Sequence, residues 1–136
     1  MDDLSAIGKT AASAMRAQSQ RLRIVAENMA NAESTGVKPG EDPYRRKTVT
    51  FGSMLDDVSG AQLVEVTDVG EDPSPFRLEH EPSHPAADAR GYVSKPNVNP
   101  MIELANMREA TRSFEANLNM LDAGRKMRGQ LIDMLA

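Results

Sequence analysis

Apolar positions recur with helical spacing at both ends of the chain and with strand spacing in the middle. Leu4, Gly8, Ala11, Met15, Gln18, Leu22, Val25 and Met29 step by four and three. That is a heptad seam along one face of a helix, weakened at Gly8 and Gln18. Asp2 or Asp3 caps its start and suits the positive end of the helix dipole. The run from Asn31 to Gly36 stops it, with Gly36 expected in the left-handed conformation. A helix of about 29 residues is roughly 43 Å long. At the other end Asn99 is a good N-cap and Pro100 suits the first helical position. The seam there runs Leu104, Met107, Thr111, Phe114, Leu118 and Leu121, changes phase near Gly124, and resumes at Met127, Leu131 and Met134. The change resembles a stutter. About 35 residues give roughly 53 Å of helix.

Between the helices, Tyr44–Phe51 and Gln62–Val69 are rich in β-branched and aromatic residues and predict two short strands. Residues 71–90 carry Pro73, Pro75, Pro82 and Pro85, which predicts an extended surface loop and no packed element. The fold class expected is mainly α with a small β insert: long N- and C-terminal helices packed as a coiled-coil-like pair, with a small β and loop domain between them. The expected divisions are an N-terminal helix over 1–35, a middle domain over 36–98 and a C-terminal helix over 99–136. Two apolar seams of this length exceed what a helix pair and a small insert can cover, and long apolar surface stripes mark partner surfaces. Completion of the helices in an assembly is the simplest reading. An ordinary two-helix hairpin packed on its own β domain is the other.

Composition sharpens the division. All eight prolines lie between Pro39 and Pro100, and four of the five aromatic residues lie in the same zone. Residues 33–98 hold seven basic and twelve acidic side chains, so the acidity of a chain with net charge −4 is confined to the middle. An acidic chain lacks the basic face that nucleic acid requires, so no nucleic-acid partner is expected. There is no cysteine, which removes disulfides, thiolate metal sites and cysteine nucleophiles. Tryptophan is absent too, and nine methionines serve as flexible apolar fillers. No apolar run approaches the roughly 20 residues of a membrane span, and no basic stretch followed by an apolar one marks a cleavable signal.

Candidate chemistry is sparse. His80-Glu81-Pro82-Ser83-His84 matches H-E-x-x-H in letters. That motif binds zinc when a helix sets both histidines on one face. Pro82 sits between the ligands and Pro85 follows, and proline inside a helix costs about 3 kcal/mol or more. Two solvated loop histidines are expected instead. Phosphate-binding glycine loops and nucleophile elbows are missing, and the acidic doublets lack calcium-loop spacing. Arg45-Arg46-Lys47 splits between two faces of a strand and points to salt bridges within the chain or at an interface. No enzyme activity, cofactor or metal is expected.

Four blocks carry a resemblance. The first helix holds Ser13-Ala14-Met15-x-Ala17-Gln18-x-x-Arg21-Leu22 and Ala26-x-Asn28-Met29-Ala30-Asn31. The last holds Glu103-Leu104-x-Asn106-Met107 and Ala110-x-Arg112-Ser113-Phe114-Glu115-Ala116-Asn117. These resemble the terminal signatures of the rod, hook and hook-associated proteins of the bacterial flagellum. Pro43-Tyr44-Arg45-Arg46-Lys47 with Val49 and Phe51, and Gly91-Tyr92-Val93-x-x-Pro96-Asn97-Val98-Asn99, resemble the short proximal-rod members. The likeness covers nearly the whole chain. Phe114 stands where tyrosine is more usual and Leu104 where methionine is common, and residues 71–90 match no part of the pattern.

The resemblance implies a structural axial subunit whose terminal helices pack into a tube around an export channel and transmit torque. Its assembly interface would use Leu4, Ala11, Met15, Leu22, Val25, Met29, Leu104, Met107, Phe114, Leu118, Leu121, Met127, Leu131 and Met134. Asn28, Ala30 and Asn31 would shape the exit of the first helix, with C-capping as the plainer role. Arg112, Glu115 and Asn117 would set register between neighbours or be a solvated face. Implied partners are copies of the chain, proximal and distal rod subunits, the rod-to-ring adaptor FliE, and the export apparatus during secretion. The implied location is the periplasm-spanning rod of the basal body, reached without a cleaved signal and with no direct membrane span. Two rivals are the other short proximal-rod subunit type and a cytoplasmic coiled-coil adaptor or export chaperone.

Overall fold

The computed structural model describes residues 2–136. In chain order the elements are α1 (Asp2–Ala30), β1 (Lys47–Leu55), β2 (Gln62–Glu71), β3 (Arg77–His80), β4 (Tyr92–Lys95) and α2 (Pro100–Leu135). Two helices thus enclose a small β region, as the periodicity predicts. No helix is long and apolar enough to cross a membrane among the described residues.

α2 starts as the cap chemistry requires. Asn99 Oδ1 accepts from the Met101 N–H at 3.0 Å, and the Asn99 carbonyl accepts from Glu103 N at 3.0 Å. Pro100 is the first helical residue and loses no hydrogen bond there. The helix then runs unbroken through Gly124 and Gly129 for 36 residues. At the start of α1, Asp2 and Asp3 are already helical, and what precedes them lies outside the described residues.

The stop of α1 differs from the expectation. Gly36 does not have a positive φ; Gly40, Gly60 and Gly91 do. Gly36 is needed for space, because a Cβ there would lie 2.7 Å from the Glu41 carbonyl oxygen. Asn31 ends the helix instead, its amide donating to the Glu27 carbonyl at 2.9 Å while its Oδ1 accepts from Ser34 Oγ at 3.0 Å.

β1 and β2 form one two-stranded sheet and β3 and β4 another. The six-residue link between β1 and β2 makes a hairpin, closed by Asp56 N donating to the Ala61 carbonyl at 2.9 Å. Gly60 takes φ 70° in that turn. β3 and β4 are antiparallel, from Arg77 opposite Lys95 to His80 opposite Tyr92. The proline-rich stretch is therefore not all loop: β2 extends into it and β3 lies inside it. Its four prolines fall outside both strands, so no ladder donor is lost. β1 also starts three residues later than expected, because Tyr44 and Arg45 turn aside to other partners.

The chain forms two compact units. One comprises residues 1–22, 49–68 and 108–136; the other comprises residues 23–48 and 69–107. Each takes a length of both helices. In the first, α1 and α2 lie antiparallel. Arg21 meets Glu109 at 3.2 Å, and a Cβ at Gly8 would touch Leu121 Cδ1 at 3.8 Å. Moving up α1 from Gly8 to Arg21 corresponds to moving down α2 from Leu121 to Glu109. That register sets Ala11 level with Leu118, Met15 with Phe114 and Gln18 with Thr111; the better-covered side of α2 there runs through Ala110, Phe114 and Leu121, while the seam positions Thr111 and Leu118 are exposed.

Candidate assembly surface

In the unit of residues 23–48 and 69–107, the motif residues converge on a polar knot. Asn28, 1 % exposed, faces β1 like an added strand residue. Its Oδ1 accepts from Lys47 N at 2.9 Å and its Nδ2 donates to the Lys47 carbonyl at 2.9 Å. Tyr44 Oη donates to the same Oδ1 at 2.7 Å. Burial, with Glu27 and Glu103 nearby, pushes the Tyr44 phenol up to about 12. Arg46 Nε pairs with Glu103, whose side chain is fully buried, and Arg46 Nη1 reaches Asp72 at 3.4 Å. The second Glu103 oxygen is buried without a hydrogen-bond partner.

Arg45 and Asn97 hold one turn from two sides. Arg45 Nη1 donates to the Asp72 and Ser74 carbonyls at 2.8 and 3.0 Å, and Asn97 Nδ2 donates to the same two at 3.0 and 3.1 Å. The Arg45 guanidinium also stacks 4.1 Å from the Phe76 ring centre. Asn97 Oδ1 accepts from Arg46 N at 2.8 Å. Hydrogen bonds from Ser74 and the Arg46 charge hold the Asp72 carboxyl below the usual range. Pro43, Pro96 and Val98 are buried beside these groups, and Asn99 caps α2. The basic triplet thus works within the chain; Lys47 pairs with Glu27 at 2.6 Å.

Sequence reasoning missed Glu103, Asp72 and Lys95 as anchors. Lys95 is buried among Glu33, Glu79 and Glu81 at 3.6, 4.0 and 3.3 Å. An acid in the first turn of α2 was the available signal for Glu103, but its partner is 57 positions away. Ala30 is exposed.

The unit of residues 1–22, 49–68 and 108–136 is built otherwise. Ser13 Oγ donates to the Thr10 carbonyl at 2.8 Å and accepts from the Val64 N–H at 3.0 Å, tying β2 to α1. Lys9 meets Asp56 at 3.1 Å; hydrogen bonds from Ser59 and then Lys9 hold that carboxyl down at about 2. Gln18 Oε1 is buried with no partner. Of the expected interface residues, Ala11 and Val25 are buried, while Leu4, Met15, Leu22, Met29, Leu104, Met107, Phe114 and Leu121 are half-buried. Leu118, Met127, Leu131 and Met134 are exposed. Arg112 and Glu115 are exposed and make no ion pair among the described residues, and Asn117 donates back to the Ser113 carbonyl at 2.8 Å.

The H-E-x-x-H string is not helical: it leaves the end of β3 and enters turns. His80 packs edge-on against Tyr92 with ring centres 5.0 Å apart. His84 Nδ1 accepts from Ala86 N at 3.0 Å, and its Nε2 lies 3.2 Å from Thr35 Oγ1. The two rings are committed to separate contacts.

Comparison with known proteins agrees with this arrangement. Residues 9–38 match the family described as "Flagella basal body rod protein", and residues 89–134 match "Flagellar basal body rod FlgEFG protein C-terminal". The flagellar basal-body rod protein FlgC of Agrobacterium fabrum is 56 % identical over 135 residues, covering 99 % of this chain and 97 % of the relative. FlgC of Escherichia coli is 44 % identical over 118 residues, covering 86 % and 87 %. FlgC of Bacillus subtilis is 38 % identical over 131 residues, covering 85 % and 87 %. With both terminal signatures matched and the polar knot built from the motif residues between them, the chain belongs to the FlgC family of flagellar basal-body rod proteins.

Proposed function

We propose that this chain is a structural subunit of the proximal rod of the flagellar basal body. Its terminal helices, packed as a coiled-coil-like pair, join neighbouring subunits in a helical tube that surrounds the export channel and transmits torque. It acts by packing and carries no catalytic activity. The near full-length likeness to FlgC carries the reading. The exposed apolar side chains at Leu118, Met127, Leu131 and Met134 support it, since a chain complete by itself gains nothing by presenting them to water.

The seam residues of both helices form the contacts between subunits, and Arg112 and Glu115 set register there. Heterologous contacts with a non-closing rotation build an open tube, where a closing rotation would give a ring. The partners are copies of the chain, the other proximal and distal rod subunits and the adaptor FliE. The subunit reaches the periplasm-spanning rod through the flagellar export apparatus. Middle residues 36–98 stand as a β domain outside the tube formed by 1–35 and 99–136.

A gene deletion with complementation, read by electron microscopy of isolated basal bodies, tests this. Membrane rings without rod or hook, restored by the intact gene, are expected. Normal hooks and filaments in the deletion strain would overturn the reading.

A further inference from the structure

The unit of residues 1–22, 49–68 and 108–136 has two exposed patches of opposite charge. The first is the end of α2. In the antiparallel register, Asp2 is opposite Met127, and among the described residues none of α1 faces α2 beyond it. Met127, Leu131 and Met134 are 55, 41 and 81 % exposed. They belong to the seam segment that follows the phase change at Gly124. Arg125, Lys126 and Arg128 lie on the same stretch, and none has an ion-pair partner among the described residues. The second patch is the β1–β2 hairpin. Residues 49–68 contain four carboxylates and no basic side chain. Asp56 is taken by Lys9, which leaves Asp57, Glu65 and Asp68. Phe51, Met54 and Leu55 are exposed beside them.

We infer that the end of α2 in one copy docks on the β1–β2 hairpin of a second copy. Charge selects this pairing. Residues 125–135 carry three cations and one carboxylate, Asp133, so two α2 ends face to face would set net positive charge against net positive charge, and two hairpins face to face would crowd their carboxylates; the end-on-hairpin contact joins unlike net charges and apolar side chains together. The hairpin is long enough to receive the helix end, since residues 125–135 span roughly 16 Å of helix and the nine residues of β1 run about 30 Å. The phase change at Gly124 then marks where the α2 seam passes from a partner in its own chain to a partner in the next. The contact uses different patches on the two copies, so each copy can receive one neighbour and dock on another. The inference rests on the proposed rod role and adds the identity of one of its contacts.

The chain has no cysteine, so Met54→Cys with Leu131→Cys reports the contact cleanly. Basal bodies are isolated from the deletion strain complemented with this double variant and oxidised mildly. A ladder of copies linked through positions 54 and 131 is expected, and each single variant should stay unlinked. The ladder should vanish with Arg125→Glu plus Arg128→Glu and return when Glu65→Lys plus Asp68→Lys is added. Rods that assemble without a 54–131 link would overturn the inference and leave the rod role standing. So would a 131–131 dimer in the single variant, or a link from position 131 to a different rod protein. Rods that form without the gene would overturn both.

Discussion

The two compact units spend their side chains differently. The unit of residues 23–48 and 69–107 buries Ile24, Val25, Val93 and Val98 and anchors them with the Asn28, Arg46 and Lys95 clusters. In the unit of residues 1–22, 49–68 and 108–136, the apolar side chains that reach full burial are all alanines: Ala11, Ala17, Ala61 and Ala110. Fully burying a valine or isoleucine stabilises by roughly 1.5–3 kcal/mol, while an alanine methyl contributes about 0.8. The unit of residues 23–48 and 69–107 is the more self-sufficient, although Leu78, Met101 and Ile102 on it are exposed. The unit of residues 1–22, 49–68 and 108–136 half-buries Met15, Leu22, Phe114 and Leu121 and leaves Leu118, Met127, Leu131 and Met134 exposed. The less finished of the two is where an assembly subunit has free energy to gain from a neighbour.

The largest effect should come from breaking the more self-sufficient unit. Arg46→Leu leaves the fully buried Glu103 carboxylate without a cation. Removing one member of a buried pair costs about 3–5 kcal/mol. Urea unfolding of the purified chain should show the unfolding free energy lowered by that amount. A shift below 1 kcal/mol would mean that water reaches Glu103. Asn28→Ala strands the Lys47 N–H, its carbonyl and the Tyr44 hydroxyl, and should cost about 2 kcal/mol in the same assay.

The other unit should respond in the opposite sense. Leu131→Asp and Met134→Asp alter exposed positions, so the isolated chain should change by no more than about 0.5 kcal/mol. In a complemented deletion strain the same variants should abolish motility. Phe114→Asp and Leu22→Asp should also block assembly, since a charge at a seam position would be buried unpaired. Full motility in all four variants would refute the seam assignment.

The smallest effect concerns pH. The carboxyls of Asp72, Asp88 and Asp56 are all held below their ordinary value. A depressed carboxyl contributes stability that is present above about pH 4 and is lost as pH falls through its folded value, about 2 for Asp56. Asp88 gains from the Tyr92 backbone N–H, and Asp72 from Ser74. Acid titration followed by circular dichroism should show a gradual loss below pH 4. At high pH the raised Tyr44 phenol adds the reverse case. Its contribution is intact below about 10 and fades as pH rises towards about 12. Replacement by phenylalanine should remove that alkaline phase.

Much was legible without coordinates because helix signals are local. The Asn99-Pro100 start needs two adjacent residues, and the seams need only their own spacing. What escaped was long-range or steric. Gly36 looked like a left-handed stop, but its role is to admit the Glu41 backbone, a contact that no propensity encodes. The proline-rich stretch looked like loop because its prolines were counted together. β3 takes four residues of the proline-free window between Pro75 and Pro82, which form a strand by pairing with β4.

The sequence by itself determined the two helices, the Asn99-Pro100 start of α2, the β character between the helices and the family signatures, since each follows from nearest neighbours or from a fixed period. Only the tertiary structure decided that Arg46 answers Glu103, that Asn28 stands in for a strand, and that the α2 seam outruns its partner in the chain near Gly124. Those outcomes depend on which distant segments share space, and burial is a property of that shared space rather than of any residue alone.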